Sequence, residues 1–220
     1  MNMKIFNKFR FFSAIFFAST LFFSCRPQIS VRAGSGDDAT IFFSTGFSEG
    51  IARTLKSMAG ASADGPLFNK NDVISLLAEA GAANISASLP SPTEITATGT
   101  ILSLTQNPLA KTGLLKKTEK SLTLAIGEKQ ITAFYGVLSD EAKSYFDLMM
   151  IPALIGEKMS VKEYRELLAA MYGPTFASEI VDGGITIQLA SPDGRKTRKE
   201  SLTLGELLTA EKELSWTLQF

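Results

Sequence analysis

Histidine is absent from the 220 residues, and cysteine occurs once, at Cys25. Without histidine the chain has neither the commonest general base nor the commonest zinc ligand. With one cysteine, no disulfide closes within the chain. Charge of one sign is missing too: Lys and Arg number 22, as do Asp and Glu. Nucleic-acid binding needs a basic footprint, and this balance provides none. The longest apolar run, Phe11 to Phe23, falls short of the roughly 20 residues that a membrane-spanning helix wants. No Gly-rich phosphate loop, metal-ligand cluster or nucleophile elbow is present. Gly34-Ser35-Gly36 is followed by no helix and reads as a hairpin turn. The sequence therefore points to a non-enzymatic role without a cofactor or metal.

What is there begins with an address. Lys4, Lys8 and Arg10 precede the apolar run, and Ser24-Cys25 follows it. A basic start, an apolar middle and a small residue before the cut make a secretory signal. Its end, Leu21-Phe22-Phe23-Ser24-Cys25, resembles the lipobox of bacterial lipoproteins in the relaxed form seen in spirochaetes. Leu stands four places before the Cys and Ser just before it, while the two phenylalanines depart from the common pattern. The resemblance implies removal of residues 1–24, acylation of Cys25 and attachment to a membrane of the cell envelope. Arg26, where an Asp would mark inner-membrane retention, leans towards the outer membrane, on its periplasmic or surface face. Residues 25–28 are then the lipidated Cys and a short tether. At about 3.3–3.6 Å per residue, that tether keeps the body close to the bilayer.

The remainder, 45% apolar and 20% charged over the whole chain, has the composition of a globular body. Removing the leader takes three bases and no acid, leaving it slightly acidic. Ile29–Arg32 and Thr40–Ser44 alternate around turn residues and read as a hairpin. Ser48 caps a helix striped by Phe47, Ile51, Leu55 and Met58. Asn69 caps a second helix carrying Val73, Leu76, Leu77 and Ala80. Extended runs follow at Asn84–Leu89 and Glu94–Thr105, and Lys111–Lys117 reads as a polar connector.

Sliding the sequence by 91 residues places Phe43–Glu49 on Phe134–Asp140, and Leu76-Leu77-Ala78 on Leu167-Leu168-Ala169. Nine extra residues near Glu179–Gly184 then shift the offset to 100. The second copy reads as strands at Ser121–Ile126 and Ile131–Tyr135, a helix capped by Ser139, and a helix opened by the capping box Ser160/Glu163. Tyr164, Leu167, Leu168 and Met171 line that last helix, and Gly173-Pro174 marks its stop. Pro192-Asp193-Gly194 turns between two further strands, and Gly205–Glu213 is helical. Ser215–Phe220 closes the chain as a core strand with a buried Trp216. The expected fold is α+β: two tandem related ββααββ halves, 29–113 and 114–220, sharing one core, with antiparallel sheet covered by helices.

Two features stand outside this plan. Met149, Met150, Ile151 and Leu154 belong to an apolar, Met-rich stretch, read either as packing between helices or as the mouth of a groove for an apolar or lipid-like ligand. Arg195, Lys196, Arg198 and Lys199 form either a solvated hairpin edge or a contact with anionic head groups beside the anchor or with an acidic partner. Two readings follow. One is an anchored lipoprotein acting through contacts with an envelope protein; the other is a carrier of an apolar ligand.

Overall fold

The computed structural model describes residues 27–58, 62, 64–137, 140, 143 and 158–220. Cys25, Met149, Met150, Ile151 and Leu154 lie outside the described residues, as does Ser139.

The chain pairs first as a hairpin. In β1 (Gln28–Ala33) and β2 (Ala39–Gly46), Ile29, Val31 and Ala33 alternate with polar residues and face Phe43, Ile41 and Ala39 across the ladder. The connecting turn closes through the Gly34 amide, which donates to the Asp38 carbonyl at 2.8 Å. Then come α1 (Glu49–Met58) and α2 (Lys70–Glu79), with Asn69 accepting from the Asn71 amide at the start of α2. Next are β3 (Ala83–Ser91) and β4 (Glu94–Ile101), followed by α3 (Pro108–Thr112). The second part runs β5 (Leu115–Thr118), β6 (Ser121–Ile126), α4 (Glu128–Val137), α5 (Val161–Tyr172) and α6 (Pro174–Val181). It ends with β7 (Gly184–Ala190), β8 (Thr197–Thr203), α7 (Leu204–Leu208) and β9 (Leu214–Gln219).

Among the described residues the strands form a six-stranded sheet, ordered β3-β4-β2-β1-β7-β8, and a three-stranded sheet, β5-β6-β9. Every pairing is antiparallel except β1 with β7. The fold is α+β, as expected. Val31, Ile185, Ile187 and Leu189 on the large sheet share one buried cluster with Leu122, Leu124, Trp216 and Leu218 on the small one, and half-buried Ile29 packs against it. A second cluster joins Ile51 of α1 to Tyr164 and Leu168 of α5 and to Phe176, Ala177 and Ile180 of α6. Burial there pushes the Tyr164 hydroxyl up to about 12, with Tyr172 adding to the effect.

Several expectations need correction. Ile131–Tyr135 is helix, inside α4, although its Ile, Thr, Phe and Tyr have strand propensity. The segment that slides onto β2 is thus helical. The hairpin partner of β6 is β5, drawn from the stretch read as a connector. Thr105 lies beyond β4, which ends at Ile101. On α5 the inward stripe is Tyr164, Leu168 and Tyr172, spaced by four, and Met171 points outward at 46% exposure. The nine extra residues fall at the end of α6 and the start of β7. Gly173 closes α5 at φ 91°, a backbone favourable only to glycine, and Pro174 opens α6 where its missing N–H costs nothing.

Candidate functional site

The described chain starts at Pro27, two residues after Cys25. Pro27 is buried, and its carbonyl accepts from the Thr186 amide at 2.9 Å. Gln28 already belongs to β1 and pairs with Ser44 on one side and Thr186 on the other. Pro27 and Gln28, expected within the tether 25–28, are part of the folded body. Two Cα steps limit the separation of Cys25 from Pro27 to about 7 Å.

Strand direction decides what surrounds that end. The starts of β1, β7 and β4 lie there with the ends of β2, β3 and β8. α1 follows β2 and α7 follows β8, so the helical cluster gathers beside the same end. Ser48 Oγ donates to Glu179 Oε2 at 2.5 Å and ties α1 to α6. Arg165 grips Asp182 with both nitrogens, one at 2.7 Å, joining α5 to the end of α6. The guanidinium hydrogen bond holds the Asp182 carboxyl below its ordinary range, with Ser178 contributing. Thr203 and Glu206 form a capping box on α7, which likewise lowers the Glu206 carboxyl.

A cavity of about 260 Å³ opens between α1 and the β3–β4 turn, lined by Glu49, Arg53, Lys56, Asp64, Pro92 and Thr93 among others. Its lining mixes acids and bases, and the Lys56 ammonium donates to the Gly65 carbonyl. Such a cleft suits a polar group, not a hydrocarbon chain.

The basic hairpin lies at the opposite end. Ser191 to Lys196 connects β7 to β8 beyond Ala190, which pairs with Arg32 near the far end of β1. Over the length of β1 this is about 17–20 Å from Gln28. The hairpin thus lies away from the end of the sheet at which Pro27 sits. Within the hairpin, Ser191 Oγ donates to Asp193 Oδ1 at 2.6 Å, the Arg195 amide donates to the same oxygen, and Gly194 takes φ 72°. Arg198 turns towards the small sheet, donating to the Thr217 carbonyl at 3.0 Å and to Glu200. Lys199 projects from the other face of β8.

That other face is the open side of the six-stranded sheet. One row across it reads Ser88, Thr96, Ser44, Gln28, Thr186, Ser201; the next reads Ser86, Thr98, Phe42, Ser30, Gln188, Lys199. A third contains Thr100, Thr40, Arg32 and Thr197. Part of this pattern was visible as Ser30 and Arg32 in the alternating stretch Ile29–Arg32. Its assembly across six strands was not, since the β1–β7 pairing joins residues far apart in sequence.

Among the described residues, no three Asp or Glu side chains gather as a metal-ion site, and no helix is long and apolar enough to cross a membrane. Comparison with known proteins gives no match to a family model, a curated protein or a solved structure.

Proposed function

We propose that the chain is a bacterial lipoprotein, anchored through an acylated Cys25 in the cell envelope, with a non-enzymatic role in contacts at that membrane. The observation that supports this reading most is positional. The cysteine ending a lipobox-like leader stands two residues before a buried proline at one end of the principal sheet. A lipid at Cys25 would hold the α1–α6–α7 end of the body against the bilayer. It would turn the β1–β2 and β7–β8 turns away from it. Several acyl chains anchor stably where one binds only marginally, and the lipobox resemblance implies several. The outer membrane fits Arg26.

Cys25→Ser tests the reading. The wild-type chain is expected to partition into detergent and sediment with membranes, and the variant to enter the aqueous phase. Equal partitioning of the two would refute it.

The tandem arrangement of two ββααββ halves belongs to the same reading. The order β1-β2-α1-α2-β3-β4 supports it, since β5-β6, helices and β7-β8 then follow in the same sequence. β9 would be an addition that pairs with β6 and completes the small sheet.

A further inference from the structure

The open face of the six-stranded sheet is chemically unlike a surface built to dock a protein. A protein interface concentrates several apolar or aromatic anchors at its centre and keeps its polar groups at the rim. Here a single ring, Phe42, stands mid-sheet at 36% exposure, flanked across the ladders by Ser30 and Thr98. Around it are short hydroxyl side chains and the amides of Gln28 and Gln188. The three rows contain no carboxylate; Glu94 lies outside them, opposite Gly46.

Two cations complete the face. Arg32 is the diagonal neighbour of Phe42, and its guanidinium lies near Gly194 of the basic hairpin. Lys199 ends the Phe42 row on the edge strand, three strands and about 14 Å away. Among the described residues neither makes an ion pair within the fold. Asp193, the nearest acid in the hairpin, is occupied by Ser191 and Arg195.

A ligand matching this face is hydroxylated along its length, offers a C–H face to one ring, and carries negative charge at intervals. We propose that the open face, centred on Phe42, Arg32 and Lys199, binds an anionic polysaccharide. One sugar ring lies on Phe42 and hydrogen-bonds to Ser30 and Thr98, and acidic groups on the same or neighbouring sugars meet Arg32 and Lys199. An open face lined by rows of short side chains takes an extended polymer, whereas a small molecule is usually held in a concave pocket. This inference rests on the face itself and does not depend on acylation at Cys25.

The test titrates the full chain, purified in detergent, with three probes: the polyuronate alginate, neutral dextran and polyglutamate. Alginate is expected to bind best, and more weakly as salt rises. The double variant Arg32→Gln/Lys199→Gln, and Phe42→Ser alone, should each weaken alginate binding about tenfold. Lys162→Gln, on the exposed side of α5, should leave it unchanged. Phe42→Trp retains the ring and should retain binding, which keeps the ring's role testable if Phe42→Ser melts early. No binding of alginate would overturn the proposal. So would polyglutamate binding as tightly as alginate with Phe42→Ser neutral, because the face would then be a site for acidic protein.

Discussion

Gln28 and Thr186 stand opposite each other in the single parallel pairing among the described strands, where β1 meets β7. They come from strands far apart in the chain, β1 near its start and β7 in its last quarter. This seam makes one six-stranded sheet out of strands that would otherwise be two edges. It also fixes the start of β1, because the Thr186 amide donates to the carbonyl of Pro27, the residue just before Gln28.

The seam predicts that neither unit folds alone. Residues 29–113 expressed separately would expose the β1 edge and the apolar face that Leu122, Trp216 and Leu218 cover. Circular dichroism should show both 29–113 and 114–220 largely unfolded, with native signal returning on mixing. Independent cooperative melting of either piece would contradict this.

Gly205 is placed where α7 meets α5 and α6. A Cβ there would lie 2.7 Å from Val181 Cγ1, 3.0 Å from the Val181 carbonyl oxygen and 3.1 Å from Val161 Cγ1. Gly205→Ala should therefore destabilise by about 1–3 kcal/mol, the usual cost of overpacking, despite alanine's better helix propensity. Urea denaturation measures it, and unchanged stability would mean that α7 packs less tightly.

The Arg165–Asp182 pair sets a pH dependence. Because hydrogen bonding to Arg165 lowers the Asp182 carboxyl below its ordinary 3.8, the unfolded chain takes up this proton first as pH falls. The contribution is complete above that ordinary value and fades as pH drops through the lower folded value. Asp182→Asn should lower the melting temperature by a few degrees at neutral pH, and the gap to wild type should shrink in acid. A gap that widens in acid would reverse the assignment.

Orientation is a fourth consequence. With Cys25 acylated, a donor dye at Glu49→Cys, beside the anchored end, should transfer energy strongly to an acceptor at the bilayer surface. One at Arg195→Cys, farther away by roughly the length of β1, should transfer weakly. Equal transfer, or the reverse order, would show that the body does not stand as described.

Much of the local structure was legible because its signals are local. The alternation of Ile29 and Val31, the Asn69 cap and the Ser160/Glu163 capping box appear where the residues place them. Reading failed where tertiary context overrides propensity. Ile131–Tyr135 has strand-forming side chains, yet α4 forms after Gly127, with Glu128 in its first turn and buried Gln130 donating to Glu213 Oε2 at 2.5 Å. Glu213 lies 83 residues away, beyond any local pattern. The β1–β7 seam and the β6–β9 pairing are equally non-local, so the small sheet and the open hydroxyl face could not be read in advance. The basic run Arg195–Lys199 was visible, but its distance from the start of β1 was not. That depends on strand direction.

The most direct measurement is the mass of the N-terminal peptide from membrane-extracted protein. The account predicts a peptide that begins at Cys25 and carries the mass of acyl chains. A peptide that begins upstream of Cys25, or one that carries a free Cys25 thiol, would contradict it.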